Sequence, residues 1–346
     1  MMKFFINTCL VFSCLVANLF GYVDLDKYPS DFVLDLKKID IPGHPDAFNP
    51  SIVRWEGSLL MSFREVSKPC FPAIPSASES SIGLVWLDDD FNPISDAYML
   101  DFGSAISRAE DPRLLVVGND LCIVYSNNTE EVATDCGFCM WIAKLLFYQD
   151  EFYLYDNWKL AYLDGEQHLK REKNWVPFDF NGRLCLSYRI SPHKVFFTMY
   201  HSEICYTLSE SNTPVKWKWG ELRGGTPAID INGRYLSIFH SNIEIATTHS
   251  EGKVMPHYFM GAYLFSNQPP FEITHISSRP IIAKGFYSGE QYPYYWRPTQ
   301  VVFPCGILAK GNNIWITYGR QDHEIWVAKL DRVKLLMSLS PVLSEK

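Results

Sequence analysis

One pattern recurs five times along this 346-residue chain, and it limits what the chain can fold into more than any other feature. It reads proline, short apolar run, glycine-containing turn, then a second run ending at or beside Phe or Tyr. The copies are "NPSIVRWEGSLLMSFR" from Asn49, "DPRLLVVGNDLCIVYS" from Asp111, "VPFDFNGRLCLSYR" from Val176, "TPAIDINGRYLSIFH" from Thr226 and "FPCGILAKGNNIWITYG" from Phe303. Gly57, Gly118, Gly182, Gly233 and Gly311 supply the turns, since a residue without Cβ reaches positive φ and closes a hairpin. The prolines stand where strands begin, a place that tolerates a missing N–H. A third apolar run follows at Ile82, Cys139, Lys194, Phe259 and Ile325, and helical periodicity is missing nearly everywhere. Five antiparallel units spaced about 50 to 80 residues apart predict an all-β, five-bladed β-propeller. A pair of sandwich domains is the alternative, but it leaves the fivefold recurrence unexplained.

Composition agrees with one large core. Aromatic residues make up 15% and charged residues 20%, a globular balance without a disordered tail. A formal charge of −8 argues against nucleic acid as a partner, because backbone phosphate contacts need a positive face. The start, "MMKFFINTCLVFSCLVANLFGY", has one Lys and an apolar stretch from Phe4 to Phe20, which predicts a signal peptide over residues 1–21 and an exported protein. A retained signal anchor is the alternative and the one route to membrane contact. Residues 22–346 are then a single propeller domain. Removing Cys9 and Cys14 leaves seven cysteines, so at least one thiol is unpaired within the chain. "CGFC" at 136–139 lacks a βαβ context and reads as a loop disulfide or a pair of strand-end thiols. "NNT" at Asn127 is a formal glycosylation acceptor in a eukaryotic host.

In a propeller the first strand of each blade lines the central channel. Residues just before each proline and just after each aromatic therefore gather at one end of it: Asn49, Arg64, Asp111, Lys173, Asn174, Arg189, Arg223, His240 and Asp322. Glycoside hydrolysis normally needs two carboxyl groups flanking the bond. Phosphorolysis needs one acid, because phosphate is already an anion, together with cations to hold it. Lys173, Arg189, Arg223 and His240 form such a clamp, with Arg suited to forked contacts. The ring composition thus favours transfer to or from phosphate. His193, His201, His249, His257 and His275 show no metal spacing. No metal and no cofactor are expected; inorganic phosphate or a sugar phosphate is the expected co-substrate.

The stretches "NPSIV", "EDPRLL", "KNWVPF", "RGGTPAI" and "FPCGILAKGNNIWITYGRQD" resemble the successive motifs of glycoside hydrolase family 130, five-bladed propellers that include β-mannoside phosphorylases. The match runs from about Asn49 to Leu330. The resemblance implies that Asp111, the aspartate of "DPR", is the single proton donor. It would protonate the glycosidic oxygen through the mannose 3-hydroxyl while phosphate inverts the anomeric centre, giving α-mannose 1-phosphate. By the same resemblance Asn49, Arg64 and Asp322 hold the sugar, and Lys173, Arg189, Arg223 and His240 hold phosphate. A donor that stays protonated near neutrality requires a raised pKa, from burial or from the neighbouring Glu110. Two positions depart from the pattern: a tyrosine often found two residues after the phosphate-site histidine is Asn242, and the usual lysine of the fourth blade is Arg223.

The implied protein is a carbohydrate-active enzyme of the glycoside phosphorylase type, a hexosyltransferase acting on a mannose-containing oligosaccharide or glycan. The alternatives are a β-mannosidase of the same fold with Glu221 as base, a nucleotide-sugar-dependent β-mannosyltransferase, and a non-catalytic glycan-binding propeller. In "YSGEQYPYYWRP" from Tyr287, Tyr294 and Trp296 are candidates for an acceptor wall, because aromatic rings stack on sugar faces.

Overall fold

The glycine turns do close hairpins. Gly57, Gly118, Gly182, Gly233 and Gly311 all have φ between 59° and 87°. The computed structural model describes residues 22–68, 78–103, 107–129, 137–162, 171–199, 203–211, 213–291 and 297–342. The apolar segment 1–21, Cys136, Tyr294 and Trp296 lie outside them.

The first strand, β1 (Val33–Ile39), belongs to the last blade. Blade one is β2 (Phe48–Trp55), β3 (Ser58–Lys68), β4 (Glu79–Leu87) and β5 (Tyr98–Met99), paired in that order. Blade two is β6 (Glu110–Val117), β7 (Asp120–Asn127), β8 (Cys139–Tyr148) and β9 (Glu151–Lys159). Blade three adds a short parallel outer strand, β10 (Ala161–Tyr162), to β11 (Val176–Phe180), β12 (Arg183–Arg189), β13 (Lys194–Thr198) and β14 (Ile204–Glu210). In blade four the inner strand is split into β15 (Arg223–Gly224) and β16 (Ile229–Asp230), both pairing with β17 (Arg234–Ala246); β18 (Val254–Ser266) and β19 (Ile273–Ser277) follow. Blade five is β20 (Val302–Lys310), β21 (Asn313–Arg320) and β22 (Glu324–Asp331), completed by β1 on its outer edge. After the short helix α1 (Arg332–Met337), β23 (Leu339–Pro341) returns to the edge of blade four.

The ring is closed by packing as well as by pairing, because an apolar cluster fills every gap between neighbouring blades. Leu60, Ile82 and Leu84 meet Ile123 and Leu145 between blades one and two, and Val124 and Ile142 meet Leu186 and Phe196 between two and three. Val176 and Phe178 meet Tyr235 and Phe265; Leu236 and Phe259 meet Ile314 and Ile316; Met61 and Phe63 meet Ile325 and Val327. Polar bonds also tie neighbouring blades. Leu114 N–H donates to Ser51 Oγ at 2.9 Å, and Thr317 Oγ1 donates to the Pro50 carbonyl at 2.7 Å.

Some sequence expectations change here. Asn127 is buried, and its Oδ1 accepts from the Arg108 and Asn128 N–H groups, which leaves no room for a glycan. Cys122, Cys139, Cys185, Cys205 and Cys305 are free thiols, so Cys139 is a strand-end thiol. Among the described residues no helix is long and apolar enough to cross a membrane.

Candidate active site

Inner strands begin at the axis, and three of them carry a bulge there: between Phe48 and Ser51, between Glu110 and Arg113, and between Pro304 and Gly306. Bulges re-aim side chains. Asn49 and Asp111 stand in two of them with φ of 49° and 53°, and Asn174 and Asp322 also have positive φ. Asn and Asp tolerate this left-handed region better than other residues with a Cβ, and such backbone clusters at functional sites. Space for Asn49 comes from Gly319, where a Cβ would lie 2.0 Å from Asn49 Oδ1.

A cavity of about 710 Å³ opens at this end of the axis. Asn49, Arg64, Asp111, Lys173, Asn174, Arg189, Glu221, Arg223, His240 and Asp322, ten of the twelve residues singled out in the sequence, all line it. Tyr294 and Trp296 are the two outside the described residues.

Asp111 is the centre of the buried network. Asn49 Nδ2 donates to its Oδ1 at 2.8 Å, and Arg64 Nη1 approaches the same oxygen at 3.5 Å. Arg64 Nη2 donates to Glu110 Oε1 at 2.8 Å, and Lys173 Nζ donates to Glu110 Oε2. Lys173 also sits 3.7 Å from the centre of the Phe138 ring, a cation–π contact. Arg113, for which the sequence reading had no role, is fully buried. Its Nε donates to the Gly225 carbonyl at 2.5 Å, its Nη1 to the Asp111 carbonyl at 2.9 Å, and its Nη2 to Asn174 Oδ1 at 3.0 Å. Gly225 lies in the break between β15 and β16, outside the strand pairing. A Cβ at Gly225 would meet the Ile238 carbonyl at 2.3 Å, so glycine alone fits that approach.

Three expectations about charge are corrected by this geometry. Burial does push the Asp111 pKa up, as expected, but Arg64, Lys173, Arg113 and the Asn49 amide outweigh it and hold the carboxyl below its ordinary value. Without a ligand Asp111 is therefore ionised. His240 is buried, and burial together with Arg113 and Arg223 lowers its pKa to about 3. It is a neutral imidazole with an unpaired Nδ1, so it offers the cavity a hydrogen-bonding ring and no charge. Nor do cations outnumber carboxylates: Arg64, Arg171, Lys173, Arg189 and Arg223 face Glu110, Asp111, Glu172, Glu221 and Asp322 around the lining.

The cations divide into two groups. Arg64 and Lys173 are largely buried, and burial lowers the Lys173 pKa to about 8 against the pull of Glu110. Arg189 and Arg223 are half exposed at the rim, the first 3.1 Å from Glu210 and the second 2.9 Å from Glu221. Asn242 stands directly opposite Tyr258 on β18, and the Tyr258 ring stacks on His240 with centres 5.9 Å apart. A phenol thus reaches the cavity from the neighbouring strand. No signal in the sequence marks that register. Among the described residues no group of three or more His, Cys, Asp or Glu could hold a metal.

A cavity on the axis of a five-bladed propeller, lined by equal numbers of cations and carboxylates around the buried Asp111, is the candidate active site of this chain. The family model described as beta-1,4-mannooligosaccharide phosphorylase matches residues 27–340, and the chain belongs to that family, glycoside hydrolase family 130. The comparison with curated proteins finds no match. Among solved structures, the chain is similar to a mannose phosphorylase from Leishmania mexicana in complex with phosphate ion, at 13% identity and TM-score 0.58 over 90% of this chain and 92% of that one. It is also similar to a β-1,2-mannobiose phosphorylase from Listeria innocua in complex with β-1,2-mannobiose, at 14% identity and TM-score 0.58 over 88% and 92%. A third structure has 12% identity and TM-score 0.61 over 93% and 99%; it comes from work finding that the family contains glycoside hydrolases that target β-1,2-mannosidic linkages in Candida mannan. At these identities the likeness speaks for the fold.

Proposed function

We propose that this protein is an inverting β-mannoside phosphorylase, converting a β-mannoside and phosphate to α-mannose 1-phosphate and a shortened saccharide, or running that reaction in reverse. The observation that carries the reading is one buried carboxyl, Asp111, beside an arginine- and lysine-lined cavity in which, among the described residues, no second buried carboxylate is free of a partner for use as base. Glu110 is bonded to Arg64 and Lys173, and Glu172 accepts from Trp175 Nε1 and Tyr188.

Asp111 supplies the proton. Its ionised state in the empty site is no obstacle, because an anion bound at Arg223 and Arg189 places like charge near it and raises its proton affinity. Phosphate binding thus prepares the acid. The proton passes to the glycosidic oxygen, by way of the mannose 3-hydroxyl as the family resemblance implies. The bond from that oxygen to C1 breaks with its electron pair on oxygen, and a phosphate oxygen forms the new bond at C1 from the opposite face. Asn49, Arg64 and Asp322 are the proposed sugar ligands. Neutral His240 and the Tyr258 phenol suit hydrogen bonds to phosphate or sugar hydroxyls, and export by the segment 1–21 is part of the same proposal.

Hydrolysis is the second reading, favoured by one feature: Glu221 lines the cavity. Its side chain is 76% exposed and paired with Arg223, which suits a weak base poorly placed for water-excluded chemistry. The test is incubation with β-1,2- and β-1,4-mannobiose with and without inorganic phosphate, following mannose and mannose 1-phosphate separately. Phosphate-dependent mannose 1-phosphate supports the proposal, and mannose released at the same rate without phosphate refutes it.

A further inference from the structure

Adjacent residues of a regular strand point to opposite faces, yet Glu110 and Asp111 both line the cavity. The bulge between Glu110 and Arg113 and the positive φ of Asp111 undo the alternation. A second carboxylate therefore stands beside the proton donor, and the proposed reaction has no chemical step for it. The Glu110 side chain is only 6% exposed. One of its oxygens takes Arg64 Nη2 at 2.8 Å and the other takes Lys173 Nζ. Arg64 is shared as a result: its other nitrogen reaches Asp111 at 3.5 Å, the outer limit of a hydrogen bond.

We propose that Glu110 is a positioning residue for the proton donor: by holding Arg64 and Lys173 on its own carboxylate, it keeps both cations from closing on Asp111. The inference rests on the reading of Asp111 as the acid. The charged and titratable groups facing Asp111 are Arg64 from β3, Glu110 and Arg113 from β6, Lys173 ahead of β11, Tyr258 from β18 and Cys305 from β20, with Asp322 beyond the last two. Tyr258 and Cys305 are neutral, since burial raises both. Arg113 is committed to three acceptors, of which Asp111 gives only its backbone carbonyl. That leaves Arg64 and Lys173 as the cations able to move onto the Asp111 carboxylate, and Glu110 is the carboxylate that holds both. Freed from it, Arg64 could pair with Asp111 through two nitrogens, the geometry in which arginine binds a carboxylate best. The donor would then be locked in its ionised form.

The test is Glu110→Gln in the full chain, which keeps the shape and removes the charge. The Asp111 protonation is followed by the infrared carboxyl band that disappears in Asp111→Asn, titrated with saturating inorganic phosphate present. We expect Asp111 in Glu110→Gln to take up its proton at least about one pH unit lower than in wild type, a shift of tenfold or more in proton affinity. The alkaline limb of the pH profile of mannobiose turnover should move acidward by the same amount, with kcat affected more than KM. Lys173→Met should shift the titration the opposite way. An unchanged Asp111 titration in Glu110→Gln, or in Lys173→Met should the first variant not fold, overturns the proposal. A shifted titration in a protein that turns over no mannoside leaves the positioning role standing and refutes the functional reading instead.

Discussion

Replacing Asp111 with Asn removes one proton and one charge while keeping the outline of the side chain. Asn49 Nδ2 sits 2.8 Å from Oδ1, and an asparagine can present its own carbonyl oxygen to that donor. Geometry should therefore survive, while proton donation cannot. General acid catalysis contributes typically about 10²–10⁴-fold, so turnover should fall by at least that range. The stability cost follows from what the three nearby cations keep. Breaking a buried ion pair costs about 3–5 kcal/mol when a charge is left stranded. Here Arg64 and Lys173 retain Glu110, and Arg113 retains the Asp111 and Gly225 carbonyls and Asn174 Oδ1. No cation is orphaned, and the loss should stay near 1–2 kcal/mol, which for a chain of this size is roughly 1–3 °C in Tm. Removing a negative charge beside the anion site should also leave phosphate binding intact or tighter. The assays are product release by chromatography, calorimetric Tm and phosphate titration on the same preparation. Turnover within tenfold of wild type would refute the assignment of the acid; loss of the folded state would refute the argument that the cations keep their partners.

Arg113→Met should cost about 3–5 kcal/mol in denaturant unfolding, because it strips donors from two buried carbonyls and from Asn174; an unchanged midpoint would contradict the central tie. Arg223→Ala should raise the phosphate KM about tenfold or more with little change in mannoside KM, since a charged hydrogen bond to an anion is worth about 1.5–3 kcal/mol; indifference to the change would point to hydrolysis. Acid lability should appear above the range of ordinary carboxylate titration. His240 and His193 have pKa values lowered by burial, to about 3 and about 4, so the unfolded chain binds more protons than the folded one below the ordinary histidine value of 6.5. Stability is then full above about pH 6.5 and declines as pH falls toward those lowered values, by on the order of 3 to 5 kcal/mol per histidine. His193→Gln should flatten the decline of Tm between about pH 6 and 4, and a slope equal to that of wild type would refute it.

The ring of blades was legible because its signals are local. Each inner hairpin is written in a few contiguous residues, and the glycine turns have the positive φ that a tight hairpin needs. What escaped is written in pairs far apart in the chain. β1 joins blade five and β23 joins blade four through registers such as Ile39 with Ile325 and His275 with Pro341, and neither strand carries a mark of its partner. The site shows the same division. Asn49, Asp111 and Asp322 could be found from their places beside the repeats. The ionised state of Asp111 could not, because it depends on Arg64, Lys173 and Arg113 converging from three strands or loops. Arg113 was hidden by its setting in "RLLVV", where an arginine next to an apolar run looks like a solvent-facing strand end. The neutrality of His240 is likewise a matter of burial among other blades' side chains, which its neighbours in sequence do not reveal.

In the proposed reaction one acid and a bound phosphate carry out a single inverting displacement. The most direct measurement is ³¹P and ¹H NMR of the protein with a β-mannobiose and inorganic phosphate, recorded from the first turnover. Appearance of α-mannose 1-phosphate as the first phosphorylated product, absent in Asp111→Asn, is the expected result. First formation of the β-anomer, or free mannose with the phosphate signal unchanged, would contradict it.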